Sequence, residues 1–210
     1  MDKKIWQDFV IRYPWASMIK KQIFSVIDKL EDAFRNNKKL LLAGNGGSMA
    51  DSLHISGELL KSFEKRRDVD HELDNKIKDS WAYDYLKFLE KGFRVHVLGI
   101  NPVLQSAFLN DKKISELYYA QELYNIAEPG DIFFAISTSG RSKNLLVAAE
   151  LANIMDVFTI GLIDQDGTEL RKLSKLYIQV PVKGNSADVQ EYHLPVYHFI
   201  ARELERRFYA

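Results

Sequence analysis

Five apolar runs, spaced by helix-sized stretches, constrain the fold of this 210-residue chain more than any other feature. They are Leu40-Leu41-Leu42-Ala43, the 94–100 run RVHVLGI, Ile132–Ile136, Val157–Ile163 and Leu176–Val180. Each is continuously apolar rather than alternating, the pattern of a strand buried on both faces. Before the first run, Ile19, Ile23, Val26, Ile27, Leu30, Ala33 and Phe34 follow helical spacing and predict an N-terminal helix. Further helices are predicted over about 48–63, from Pro102 to Leu109, onward from Asn110-Asp111 to Ile126, from Ser142 to Met155, and over 188–208 with Pro195 inside. Strands alternating with helices imply an α/β fold, a doubly wound parallel sheet flanked by helices, forming a single domain over 1–210.

The 65–79 stretch, KRRDVDHELDNKIKD, is highly charged and lacks periodicity, so it is expected to lie on the surface without a catalytic role. Trp81, Tyr85, Phe88 and Leu89 then form an amphipathic face, expected in the core or at a subunit interface. Residues 65–93 together read as a charged and aromatic helical insertion. Twenty-nine basic residues balance 29 acidic ones, which points to no nucleic-acid or membrane partner. The chain has no cysteine, excluding disulfides, thiolate zinc sites and a cysteine nucleophile. No apolar stretch reaches the ~20 residues of a membrane span. The first residues lack a secretory apolar core, so a soluble cytoplasmic protein is expected.

Two strand-to-helix turns carry candidate chemistry. Gly44-Asn45-Gly46-Gly47-Ser48 offers glycine-exposed N–H groups at a helix start, a setting that favours an anion, most often a phosphate. Ser137-Thr138-Ser139-Gly140-Arg141-Ser142 places four hydroxyls around one glycine at a second such junction. Hydroxyls and N–H groups can surround a phosphate there, whereas a plain N-cap would account for one hydroxyl only. His54 and Glu58 lie four apart on one helix face; Gln190 and His198 lie eight apart in the last helix. A Glu facing a His suits acid–base proton transfer, and His54, Glu58 and His198 also suit Zn²⁺ with Gln190 as an unusual fourth ligand. An i, i+4 surface pair is the plain alternative for His54 and Glu58. His193 is expected to be solvent-exposed or structural, and His96, inside a strand, structural.

GNGGS at 44–48, ISTSG at 136–140 and QEYHLPVYH at 190–198 together resemble the sugar isomerase (SIS) domain family, and within it the phosphoheptose isomerases. That family interconverts sedoheptulose 7-phosphate and D-glycero-D-manno-heptose 7-phosphate. The likeness runs in order from about Ile19 to Leu204. It implies Glu58 as the base between C1 and C2 and His198 as its acid–base partner. It also implies zinc at His54, Glu58, Gln190 and His198. Substrate contacts are implied at Asn45, Gly46, Gly47, Ser48, Asn110, Asp111, Ser137, Thr138, Ser139, Ser142 and Gln190. A homotetramer with sites at subunit boundaries, feeding surface-polysaccharide precursor synthesis, is implied as well. The chain departs from the family after Glu58, where Leu59-Leu60-Lys61-Ser62-Phe63 replaces a Gly-Arg segment. It departs also at Met49 and Gly57, and in the length of 65–93. The alternatives are a non-catalytic SIS sensor or adaptor and an isomerase for another phosphosugar.

Overall fold

The computed structural model describes residues 3–209. Helices α1 (Lys3–Arg12) and α2 (Lys20–Arg35), joined by a 3-10 turn at Pro14–Ile19, lead into β1 (Leu40–Gly44) and α3 (Gly47–Leu60). Then come α4 (His71–Lys78), α5 (Tyr83–Leu86), β2 (Val95–Val97) and α6 (Pro102–Lys112). A 3-10 turn at Ser115–Leu117 precedes α7 (Tyr118–Ile126), β3 (Ile132–Ser137) and α8 (Lys143–Ile154). The chain closes with β4 (Phe158–Ile163), α9 (Thr168–Leu173), β5 (Leu176–Gln179) and α10 (Ser186–Tyr209).

The strands form one sheet in the order β2-β1-β3-β4-β5, parallel throughout. Side chains alternate across it. Leu40, Leu42, Ile132, Phe134 and Ile136 join α1, α2, α3 and α10 in one core layer. Leu41, Ala43, Phe133 and Ala135 join α7, α8 and α9 in the other. Both faces are buried, which is why the strands read as continuous apolar runs. From β1 the chain moves outward to β2, then returns past β1 to β3. The helices after β1 and β3 therefore cover opposite faces, and a crevice opens between these neighbours at their carboxyl ends.

Several expectations change at element ends. The second strand contracts from 94–100 to Val95–Val97, and Gly99 turns away with φ +81°. The helix expected to reach Phe63 stops at Leu60, because Lys61 is extended. The 65–79 stretch is not uniformly a surface segment: it contains α4, and within it Ile77 is buried and Arg67 has no exposed surface. Trp81, Tyr85 and Phe88 are not core residues; they are 95%, 78% and 72% exposed, and only the single turn α5 forms there. Helix α1 is not among the expected helices although Trp6, Phe9 and Val10 keep helical spacing; it contributes Trp6 and Phe9 to the core. Among the described residues no helix is long and apolar enough to cross a membrane.

Helix α10 is fastened by Phe199, whose ring meets Trp6, Phe9 and Phe24 at centroid distances of 5.4, 4.5 and 5.8 Å. Phe199 is 1% exposed, so Phe199→Ala leaves a cavity that its neighbours fill only partly. A loss of about 3–5 kcal/mol is expected, read as a lowered urea midpoint with an unchanged slope.

Candidate active site

The crevice between β1 and β3 holds a cavity of about 390 Å³. Its walls include Asn45–Ser48 from the first turn, Ser137, Thr138, Ser139 and Ser142 from the second, and Gln190 of α10. The predicted loops thus meet in one place. A Cβ on Gly47 would stand 1.9 Å from Gln190 Nε2, so the bare glycine leaves the Gln190 amide room to lie against this turn. Gly140 has φ +63°, and a Cβ there would meet the Gly167 backbone at 2.6 Å. The second turn is tight for that reason.

Ser142 occupies the N-cap position of α8 yet makes no side-chain capping bond. The N-cap alternative therefore does not account for its hydroxyl. Ser137 Oγ accepts the Gly140 N–H at 3.0 Å, and Thr138 Oγ1 lies 3.1 Å from Ser186 Oγ. The first turn is tied to the second through a reciprocal amide pair. Asn45 Nδ2 donates to Asn144 Oδ1 at 3.0 Å, and Asn144 Nδ2 donates to Asn45 Oδ1 at 2.8 Å. Tyr118 donates its hydroxyl to the same Asn45 oxygen at 3.2 Å. Asn144 and Tyr118 carry no motif and were missed in the sequence; their place beside the turns is purely tertiary.

His54, Glu58 and His198 converge as their spacing predicts. One nitrogen or oxygen from each lies within 4.8 Å of the others. His54 Nε2 is 3.2 Å from Glu58 Oε1 and 3.4 Å from His198 Nε2. Behind them, Tyr197 donates its hydroxyl to Asp51 Oδ1 at 3.3 Å and faces His54 Nδ1 at 3.1 Å. The Tyr197 oxygen can then accept a hydrogen bond from Nδ1–H, which leaves the Nε2 lone pair of His54 facing Glu58 and His198. Three lone-pair donors facing one another call for a shared proton or a cation. Two ligands bound tetrahedrally at ~2.05 Å stand about 3.3 Å apart, so the donor set fits a divalent metal.

The surroundings adjust the charges. Burial, aided by the His54 and Arg202 charges, holds the His198 imidazole below its ordinary range, although Glu58 pulls the other way. Burial likewise pushes the Asp51 carboxyl upward, and its Oδ2 is buried without a hydrogen bond. Burial also raises Tyr197, with the Asp51 and Glu58 charges adding to it.

The other predicted residues fall as follows. Asn110 and Asp111 sit in the last turn of α6, exposed and bonded to each other at 3.3 Å, and they are not among the residues lining the cavity. His96 Nε2 pairs with Glu122 at 3.0 Å, consistent with a structural role. His193 is wholly buried, which removes the solvent-exposed alternative.

Two solved structures share this fold. Phosphoheptose isomerase from Francisella tularensis superimposes with a TM-score of 0.75 at 21% identity, covering 93% of this chain and 91% of that one. The enzyme from Neisseria gonorrhoeae gives 0.73 at 20% identity, covering 96% and 95%. The class that the fold and the crevice define is the SIS domain of the sugar isomerases. No protein-family model matches the chain. Its sequence is nevertheless 33% identical over 177 residues to the phosphoheptose isomerase of Crocosphaera subtropica, covering 84% of this chain and 78% of the relative. The chain belongs to the phosphoheptose isomerase family.

His193 generates a stability prediction. Burial lowers its pKa from 6.5 to about 4; the nearby Ile163 carbonyl, which does not form a full hydrogen bond with either ring nitrogen, offsets this only in part. Between these values the unfolded chain binds a proton that the native state does not. Stability therefore rises with pH across this window and is lost as pH falls, by roughly 3 kcal/mol in all. Urea unfolding between pH 6.5 and 4.5 is expected to show a smaller acid loss in His193→Leu than in the parent protein.

Proposed function

We propose that the protein is a ketose–aldose isomerase that converts sedoheptulose 7-phosphate to D-glycero-D-manno-heptose 7-phosphate. The observation that carries this reading is the His54–Glu58–His198 cluster set beside a hydroxyl-lined cavity. Gln190 lines that cavity, and His198 lies eight residues, about two turns, further along the same helix. The heptose 7-phosphate reading is supported by the sequence relatives named phosphoheptose isomerase.

In the proposed mechanism the phosphate is held by the N–H groups of the two turns and the hydroxyls of Ser137, Thr138, Ser139 and Ser142. Asn45, Gly46, Gly47, Ser48 and Gln190 line the sugar, whereas Asn110 and Asp111 of α6 stand outside this cavity. Glu58 removes a proton from C1 of the ketose. His198 relays the O1 proton to O2, and Glu58 returns its proton to C2, giving the aldose through an enediolate. Neutral His198, favoured by its burial, can accept the oxygen-bound proton and release it again.

We assign the metal as zinc, held by His54, Glu58 and His198 with Gln190 as a fourth ligand. Bound there, it would polarise the O1 and O2 oxygens and stabilise their negative charge. We further propose a homotetramer, supported by the exposed Trp81, Tyr85 and Phe88, and a metabolic role in supplying surface-polysaccharide precursors.

An NMR time course with sedoheptulose 7-phosphate, run with Zn²⁺ and with a chelator, tests the reading. Appearance of the aldoheptose phosphate is expected, suppressed by the chelator; no conversion in any sample would refute the assigned substrate. Glu58→Gln should lower kcat by at least about 10³-fold while the fold and phosphosugar binding persist, since it removes the proton acceptor. Near-parental turnover would take Glu58 out of the mechanism. Ser139→Ala with Ser142→Ala should weaken phosphosugar binding by about 2 kcal/mol, some 30-fold in Kd by calorimetry.

A further inference from the structure

Arg67 lies in the stretch that the sequence assigns to the surface, yet it has no exposed surface. Its Nε donates to Glu205 Oε1 at 2.9 Å, and Glu205 is 1% exposed. The rest of the guanidinium turns to the end of α3. Nη1 donates to the Leu59 carbonyl at 2.9 Å and Nη2 to the Glu58 carbonyl at 3.3 Å. These carbonyls lie in the last turn, where a helix has no donors of its own and where its dipole favours a cation. The rings of Phe93 and Tyr209 lie 5.1 and 5.2 Å from the guanidinium carbon.

Glu205 completes the arrangement. Its carboxylate accepts the backbone N–H groups of Phe63, Glu64 and Lys65 at 2.8, 2.8 and 2.9 Å. It stands seven residues beyond His198 on α10, about two turns on and on the same face. One buried ion pair therefore links the helix of His198 to the backbone of Glu58 itself. A lysine could supply the charge but not the fork that reaches both carbonyls.

We propose that Arg67 and Glu205 are positioning residues that set the separation of Glu58 and His198 across the cluster, rather than fold stabilisers alone. The proposal rests on the isomerase reading for its catalytic consequence only. The turns that hold phosphate lie at the other end of α3 and do not touch the pair. Loss of the fork therefore shifts the acid–base pair while leaving phosphate capture in place.

The test uses the full chain with Arg67→Lys, with folding checked by circular dichroism. Long-range ¹H–¹⁵N spectra of the imidazoles, recorded without metal, report the cluster directly. The cross-peaks of His54 and His198 are expected to move, while those of His71 and His96 stay. With sedoheptulose 7-phosphate, kcat is expected to fall at least tenfold with KM within threefold. A folded variant with unmoved His54 and His198 signals would overturn the proposal, as would unchanged kcat in an active parent. If the parent is inactive but the signals move, positioning stands and the isomerase reading fails. Should Arg67→Lys not fold, Arg67→Met with Glu205→Gln removes both charges together and is read in the same way, since a buried charge left alone is the main hazard to folding.

Discussion

Two-sided burial of a parallel sheet is the constraint on which the rest of the structure depends. All strands point one way, so all strand-to-helix turns gather at one edge. The change of direction at β1 and β3 sends α3 and α8 to opposite faces and leaves the crevice between their turns. Both polar loops of the candidate site are consequences of that topology. Neither would meet the other if β2 lay between β1 and β3.

Helix α10 turns this crevice into a site. Gln190 faces the loops, Tyr197 and His198 face α3, and Glu205 faces the chain that leaves α3, all on one rigid element. Regular helical rise fixes how far apart Gln190, His198 and Glu205 leave the axis of α10. The aromatic packing of Phe199 against α1 and α2 fixes that scale relative to the sheet. The helix spans both the polar site and the apolar core, and each of its faces has a separate partner.

Buried polar groups divide into satisfied and unsatisfied ones. The Arg67–Glu205 pair has donors and acceptors on nearly every side, and together they hold the Glu205 carboxyl below the usual carboxylate range although burial works to raise it. Asp51 Oδ2 and both His193 nitrogens have no such partners. A satisfied ion pair in the interior can define geometry, whereas an orphaned group marks a place where carrying a charge is expensive.

By itself, the sequence determined the parallel α/β architecture, because continuous apolar runs interleaved with helical spacing leave a sheet no other way to bury both faces. It also determined the two glycine- and hydroxyl-bearing turns and the His54–Glu58 pair, since these are local patterns read within one turn or one helix. The approach of His198 to that pair followed from motif and helix face together. Only the tertiary structure decided what depends on long-range contact. Arg67 sits in a charged, aperiodic stretch and becomes buried because Glu205, far along the chain, faces it. His193 shares the pattern of its helix with exposed residues, but the sheet covers it. Asn144 and Tyr118 gain their place beside Asn45 from the crossing of three elements. Trp81, Tyr85 and Phe88 keep an apolar spacing that this fold does not bury. Local pattern reports the propensity of a segment; burial of a charge or an aromatic ring depends on which distant segment packs against it.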